Sequence, residues 1–126
     1  MRLLLDTHIL LWWLSDDPLL PPAARDAISL PDNEVMVSAA AVWEIAIKKA
    51  VGRLESPDDL LEVLTTSDFE TLEITASHAV LAGNLAPHHC DPFDRMMIAQ
   101  AQAENLTLVS IDERFPHYDV ELLLLS

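Results

Sequence analysis

The chain has 126 residues, 51% hydrophobic and 22% charged, which suits one globular, soluble domain with a buried core. Lys and Arg number 7 against 21 Asp and Glu, a net charge of −14, which argues against broad electrostatic capture of nucleic acid and fits a cationic partner. Two glycines exclude Gly-rich phosphate loops, and the single cysteine, Cys90, excludes an internal disulfide and points to a cytoplasmic setting.

Residues 2–5 read as a short buried strand ending at Asp6. Residues 7–14 follow as a helix, with Leu10, Leu11 and Leu14 at helical spacing, and Asp16-Asp17-Pro18 stops it. This apolar opening is too short to span a membrane and has no signal-peptide pattern. Pro22 opens a helix over 22–28, Pro31-Asp32-Asn33 is a turn, and 34–37 is a strand. Ser38 caps a helix over 39–50, and Gly52 lies just past its end. Ser56-Pro57 starts another helix reaching residue 64, and 69–74 alternates like a strand. Thr75 or Ser77 caps a helix to residue 85, and 87–90 is a loop. Asp91 as N-cap and Pro92 in the first turn announce a helix over 91–104. Residues 106–111 and 120–125 are the last strands. Strands alternating with helices imply a mostly parallel sheet covered on both faces.

Four acids interrupt apolar text: Asp6 after Leu3-Leu4-Leu5, Glu44 within Val42-Trp43-Glu44-Ile45, Asp94 before Met96-Met97-Ile98, and Asp112 after Val109-Ser110-Ile111. An isolated buried carboxylate is costly, and the chain has few cations to pair with it. Each acid also has an ordinary structural role open to it. Asp6 and Asp112 suit capping, Glu44 suits an i,i+4 ion pair with Lys48, and Asp94 suits the positive end of a helix dipole. The helix 39–50 is expected to turn Trp43 and Ile47 to the core, leaving Glu44 beside that stripe. In a parallel fold, however, all four could gather beyond the carboxyl edge of the sheet, where ligands bind. Such an oxygen-rich set would suit Mg²⁺ or Mn²⁺ and phosphodiester chemistry. Ser110 shares a strand face with Asp112. His88-His89-Cys90 lacks a second Cys/His cluster at zinc spacing, although either histidine could line the site. Trp12, Trp13 and Trp43 read as core or interface anchors, and Lys48, Lys49, Arg53, Arg95 and Arg114 are the cations open to phosphate.

Leu4-Leu5-Asp6-Thr7-His8, Val42-Trp43-Glu44-Ile45 with Lys48, Asp91-Pro92-Phe93-Asp94-Arg95 with Ile98-Ala99-Gln100-Ala101, and Leu108-Val109-Ser110-Ile111-Asp112 occur in that order. Together they resemble PIN-domain ribonucleases, specifically VapC-type toxins of toxin–antitoxin pairs, over nearly the whole chain. The resemblance implies one PIN domain over residues 1–126, a three-layer α/β/α sandwich with a mostly parallel sheet of four to five strands, and a Mg²⁺- or Mn²⁺-dependent endoribonuclease. It carries the catalytic, metal-holding acids onto Asp6, Glu44, Asp94 and Asp112. Counting back from the 106–108 segment selects Asp94 over Asp91, which stays open as a ligand or neighbour. Thr7 and Ser110 would orient carboxylates or phosphate, and His8 and Arg95 would support the site or contact substrate. Ser110 stands where the family often has Thr, and Asn105 where it commonly has Gly. The resemblance also implies a VapB-like antitoxin crossing the acidic site, and a homodimer, which we place on the first two helices with Trp12 or Trp13. The rivals are another Mg²⁺-dependent phosphohydrolase or DNase, and a non-catalytic acidic module binding a basic protein.

Overall fold

A computed structural model of the protein describes residues 1–124. The chain runs β1 (Arg2–Leu5), α1 (Thr7–Leu14), α2 (Pro22–Ser29), β2 (Glu34–Ser38), α3 (Ala39–Ala50), α4 (Leu60–Thr66), β3 (Glu70–Leu72), α5 (Ala76–Asn84), α6 (Pro92–Glu104), β4 (Thr107–Ser110), a 3₁₀ turn (Phe115–His117) and β5 (Leu122–Leu124). All five strands are parallel, in the order β3-β2-β1-β4-β5. The sheet expected to be mostly parallel is wholly parallel among the described residues.

Leu3, Leu4 and Leu5 on the central strand are all fully buried. Successive strand side chains point to opposite faces, so helices must cover the sheet on both sides. That is the three-layer α/β/α arrangement. The core extends through Val35 and Val37, Leu108 and Val109, and the helical residues Ile9, Ile45, Met97 and Ile98. Ser38 Oγ donates to Gln100 Oε1 at 2.5 Å, linking the end of β2 to α6 with a satisfied buried pair.

The ends of the elements follow local chemistry. Asn105 ends α6 in the left-handed conformation at φ 54°, where Asn is tolerated, and Gly52 follows α3 at φ 74°. Thr75, rather than Ser77, caps α5. The helix expected from Ser56-Pro57 begins only at Leu60. Residues 58–59 form a turn, where Asp58 pairs with Lys49 Nζ at 2.6 Å. The strand expected over 69–74 shrinks to three residues paired only with β2, and β4 loses one residue at each end. The last strand is Leu122–Leu124, and the expected Leu125 lies outside the described residues.

The face of α3 is reversed from expectation. Its buried residues are Ala40, Ala41, Glu44 and Ile45, while Trp43 is 61% and Ile47 41% exposed. Several faces of this helix are apolar, so period alone did not select the buried one. Trp43 is therefore no core anchor; its ring packs edge-on to Phe93 at 5.3 Å. Trp12 and Trp13 are half-buried, Trp13 against Phe69 at 6.2 Å.

The order β3-β2-β1-β4-β5 places the topological switch between β1 and β4. The chain leaves β1 toward β2 and, later, β4 toward β5, which opens a crevice beyond the carboxyl ends of these two strands. The Asp6 amide donates to the Val109 carbonyl at 3.1 Å, holding the two strand ends together there.

Candidate active site

Asp6 emerges from β1 directly into this crevice. Its Oδ1 accepts the Ile9 amide at 2.9 Å, which caps α1, and its Oδ2 accepts the Ser110 hydroxyl at 2.5 Å. One carboxylate thus both caps a helix and faces the crevice. Burial is the main reason its pKa is raised, with Ser110 and the Ile9 amide opposing.

Glu44 sits on the inward face of α3, with only 3% of its surface exposed. The Thr7 hydroxyl donates to its Oε1 at 2.6 Å, and Lys48 Nζ donates to its Oε2 at 2.6 Å. The i,i+4 pair with Lys48 is real, and it sits at the crevice instead of on a solvated face.

Asp91 and Asp94 divide their roles. Asp91 Oδ1 accepts the amides of Phe93 and Asp94 at 2.9 and 3.1 Å, the work of an N-cap. Asp94, one turn in, turns toward the crevice. Its pKa is pushed up to about 8, first by burial and then by the negative charges of Asp91, Asp6, Glu44 and Asp112. The negative charges of Asp91, Asp6, Glu44 and Asp112 all reach this carboxyl and act in the same direction as its burial. The helix dipole, which favours the anion at this position, is outweighed.

Asp112 follows β4. Burial raises its pKa, but hydrogen bonds and charge from Arg114 outweigh that and hold it below the ordinary value. Arg114 donates from Nε to Oδ1 at 3.1 Å and from Nη2 to Oδ2 at 2.9 Å. The Asp112 amide donates to Ser110 Oγ at 3.0 Å, so Ser110 ties Asp112 to Asp6.

Arg95 differs from its expected place, and of the two histidines that could line the site only His89 does. Arg95 points away from the crevice. Its guanidinium donates to the carbonyls of Ala82, Leu85, Ala86 and His89 at 2.9–3.2 Å, closing the end of α5, which engages both Nη groups away from any phosphate. His89, by contrast, enters the site. It is buried, with Nε2 at 2.9 Å from Asp94 Oδ2 and 3.2 Å from Asp112 Oδ2. His88 and Cys90 are exposed, with the His88 ring beside His117 and Tyr118. The only sequence signal for His89 was its place two residues before the Asp91 cap.

His8 lies on the exposed side of α1, its ring tilted against Trp12 at 6.0 Å. Both residues line an open cavity of about 620 Å³ with Asp6, Ile111, Asp112, Glu113 and Arg114. This cavity leads from solvent to the acids.

The donor set suits a hard divalent cation: carboxylate oxygens, buried, close together and mutually repelling until neutralised. His89, Asp94 and Asp112 each present a potential ligand atom, all within 4.8 Å of one another. A parallel sheet that gathers acids at its switch point defines a cation site of the kind that serves phosphodiester hydrolases. Residues 3–121 match the PIN domain family. Ribonuclease VapC22 of Mycobacterium tuberculosis is 32% identical over 114 residues, covering 88% of this chain and 87% of that protein. The chain belongs to the PIN-domain family, among the VapC ribonucleases.

Solved structures agree on the fold. VapBC2 from Rickettsia felis, bound to a promoter DNA fragment, matches with a TM-score of 0.75 at 19% identity, over 100% of both chains. DNA-bound VapBC from Salmonella typhimurium matches with a TM-score of 0.71 at 17% identity, over 97% of this chain and 96% of that one. FitAcB from Neisseria gonorrhoeae matches with a TM-score of 0.68 at 23% identity, over 95% of each. No helix among the described residues is long and apolar enough to cross a membrane.

Proposed function

We propose that this chain is a divalent-metal-dependent endoribonuclease, the toxin half of a toxin–antitoxin pair, working on RNA in the cytoplasm. The observation that carries the reading is the meeting of Asp94 and Asp112 beside His89, with the Asp94 pKa pushed up to about 8 by burial first and then by the charges of Asp91, Asp6, Glu44 and Asp112. Asp6, Glu44 and Asp94 would hold Mg²⁺ or Mn²⁺, and Asp112 would complete the pocket. Bound there, the ion supplies a water nucleophile and neutralises charge on the scissile phosphate. Cleavage by water with departure of the 3′ oxygen leaves a 5′-phosphate.

The surrounding side chains set the carboxylates. Ser110 orients Asp6, and Thr7 orients Glu44 through Oε1. Lys48, 37% exposed and bonded to Glu44 Oε2, neutralises the outer edge of the pocket and stands ready for a substrate phosphate. The cavity beside His8 and Trp12 offers rings to a nucleotide next to the acids.

The excess of negative charge, −14, favours a cationic segment over the acidic pocket. Solved relatives described as VapBC complexes support a VapB-like antitoxin as that segment's source. Purified protein incubated with RNA should cleave it in Mg²⁺ or Mn²⁺ and not in EDTA, and Asp94→Asn should not cleave under any of these conditions. Equal cleavage of DNA or a small phosphate ester would favour a broader phosphohydrolase. Absence of any metal-linked thermal shift would favour the acidic binding module.

A further inference from the structure

We infer that His89 is a positioning residue of the acidic site, whose single Nε2–H holds the Asp94 and Asp112 carboxylates at the spacing a divalent cation requires. The inference rests on the metal-dependent reading above.

The ring's protonation follows from its contacts. Nδ1 accepts the Asp91 amide at 3.2 Å, so Nδ1 is the bare nitrogen and Nε2 carries the hydrogen. Nε2 lies 3.2 Å from Asp112 Oδ2, its hydrogen-bond partner, and 2.9 Å from Asp94 Oδ2. In this arrangement the imidazole is a donor between two carboxylates and not itself a cation ligand. A His needed only to fill the core would require one partner for that hydrogen. This one faces two acids, delivered by different elements, α6 and the segment after β4.

The ring is also held from behind. The His89 amide donates to the Tyr118 hydroxyl at 2.8 Å, and that hydroxyl donates to the Ala86 carbonyl at 2.6 Å. The His89 carbonyl accepts Arg95 Nη1 at 3.1 Å. The imidazole lies 5.7 Å from the Phe115 ring. Arg95 and Tyr118 therefore fix the backbone that presents His89, which gives Arg95 an indirect part in the site. His89 engages only the Oδ2 atom of each carboxylate, and on Asp112 it shares that atom with Arg114, which also donates to Oδ1. Partners of this kind fix the direction of carboxylate lone pairs, and their removal typically weakens metal binding about 10–100-fold.

The test is Mn²⁺ affinity, measured by electron paramagnetic resonance or calorimetry on the full chain, with melting curves in EDTA as a folding control. His89→Ala should bind Mn²⁺ about 10–100-fold more weakly than the parent. His89→Gln, whose amide nitrogen reaches the Nε2 position, should stay within a few-fold of the parent. His89→Asn reaches toward Asp91 but not the carboxylates, so it should behave as Ala and replaces it if the alanine variant does not fold. Parental affinity in His89→Ala or His89→Asn overturns the inference, as does a folded Gln variant no better than these. A parent that binds no Mn²⁺ overturns the metal-dependent reading itself, and the inference with it.

Discussion

Asp6→Asn will cleave RNA on the order of 10³-fold more slowly than the parent, yet will melt no lower. The loss of rate follows if the carboxylate helps hold an ion that contributes several kcal/mol of transition-state stabilisation, each 1.36 kcal/mol being tenfold. The preserved stability follows from local geometry. Asn keeps an oxygen for the Ile9 amide, so α1 keeps its cap, and its amide can donate to the Ser110 hydroxyl. The substitution also removes a buried carboxylate whose pKa is raised by that burial, which relieves the metal-free fold. Asp6→Ala loses the cap as well. It should lie below Asp6→Asn by about 1 kcal/mol, or roughly 4 °C in melting temperature. Cleavage assays beside thermal melts in EDTA separate the two roles. Parental cleavage by Asp6→Asn would remove Asp6 from the site, and identical melting of the Asn and Ala variants would remove the cap from the account.

The pairing of roles at Asp6 shows what could and could not be read from residue order. Alternating strands and helices, Asp91-Pro92 at a helix start, and Asn105 and Gly52 at helix ends are local signals, and local backbone chemistry decided them. The parallel sheet then brought the ends of β1 and β4, and with them Asp6 and Ser110, together across 104 positions, because chain reversal through helices leaves every strand's carboxyl end on one edge. Weighing each acid between a structural and a functional role treated these as exclusive. The fold uses both at once: Asp6 caps and faces the crevice, and Glu44 pairs with Lys48 within it.

What escaped the sequence depended on tertiary partners. Thr7 selects the inward face of α3 through Glu44, a contact across 37 positions that helical periodicity cannot register. Arg95 stands beside Asp94 in sequence and read as a phosphate contact. Carbonyls at the end of α5 and in the following loop capture its guanidinium instead, since such carbonyls lack helical partners. Both His88 and His89 could line the site from their place in the loop; Tyr118 and Arg95, which hold the His89 backbone, decide for His89. The fold class was legible in the order of elements, whereas the division of labour among polar side chains required three-dimensional neighbours.

The metal-free protein should lose stability as pH rises from about 4 to about 8, and Asp94 should be the main cause. Its carboxyl is raised from 3.8 to about 8 in the fold, so the folded state binds that proton more tightly than the unfolded chain does. The resulting stabilisation is complete below the unfolded value and disappears as pH climbs through the folded one. The change is on the order of a few kcal/mol after allowance for partial exposure of the site. Asp6, also raised, acts in the same direction. Asp112 is lowered, so its contribution is lost only on acidification below the ordinary carboxylate range. Denaturant melts in EDTA at several pH values should therefore show the decline in the parent and a much flatter profile in Asp94→Asn. A divalent cation competes with the same proton. Mn²⁺ affinity should rise up to about tenfold per pH unit below 8 and level off above it. At Mn²⁺ a hundredfold over its dissociation constant, the folded state gains about 2.7 kcal/mol, offsetting most of the alkaline loss. A parent whose metal-free stability is level from pH 4 to 8, or whose pH slope matches that of Asp94→Asn, would show that burial and the neighbouring acids do not raise the Asp94 pKa in the fold.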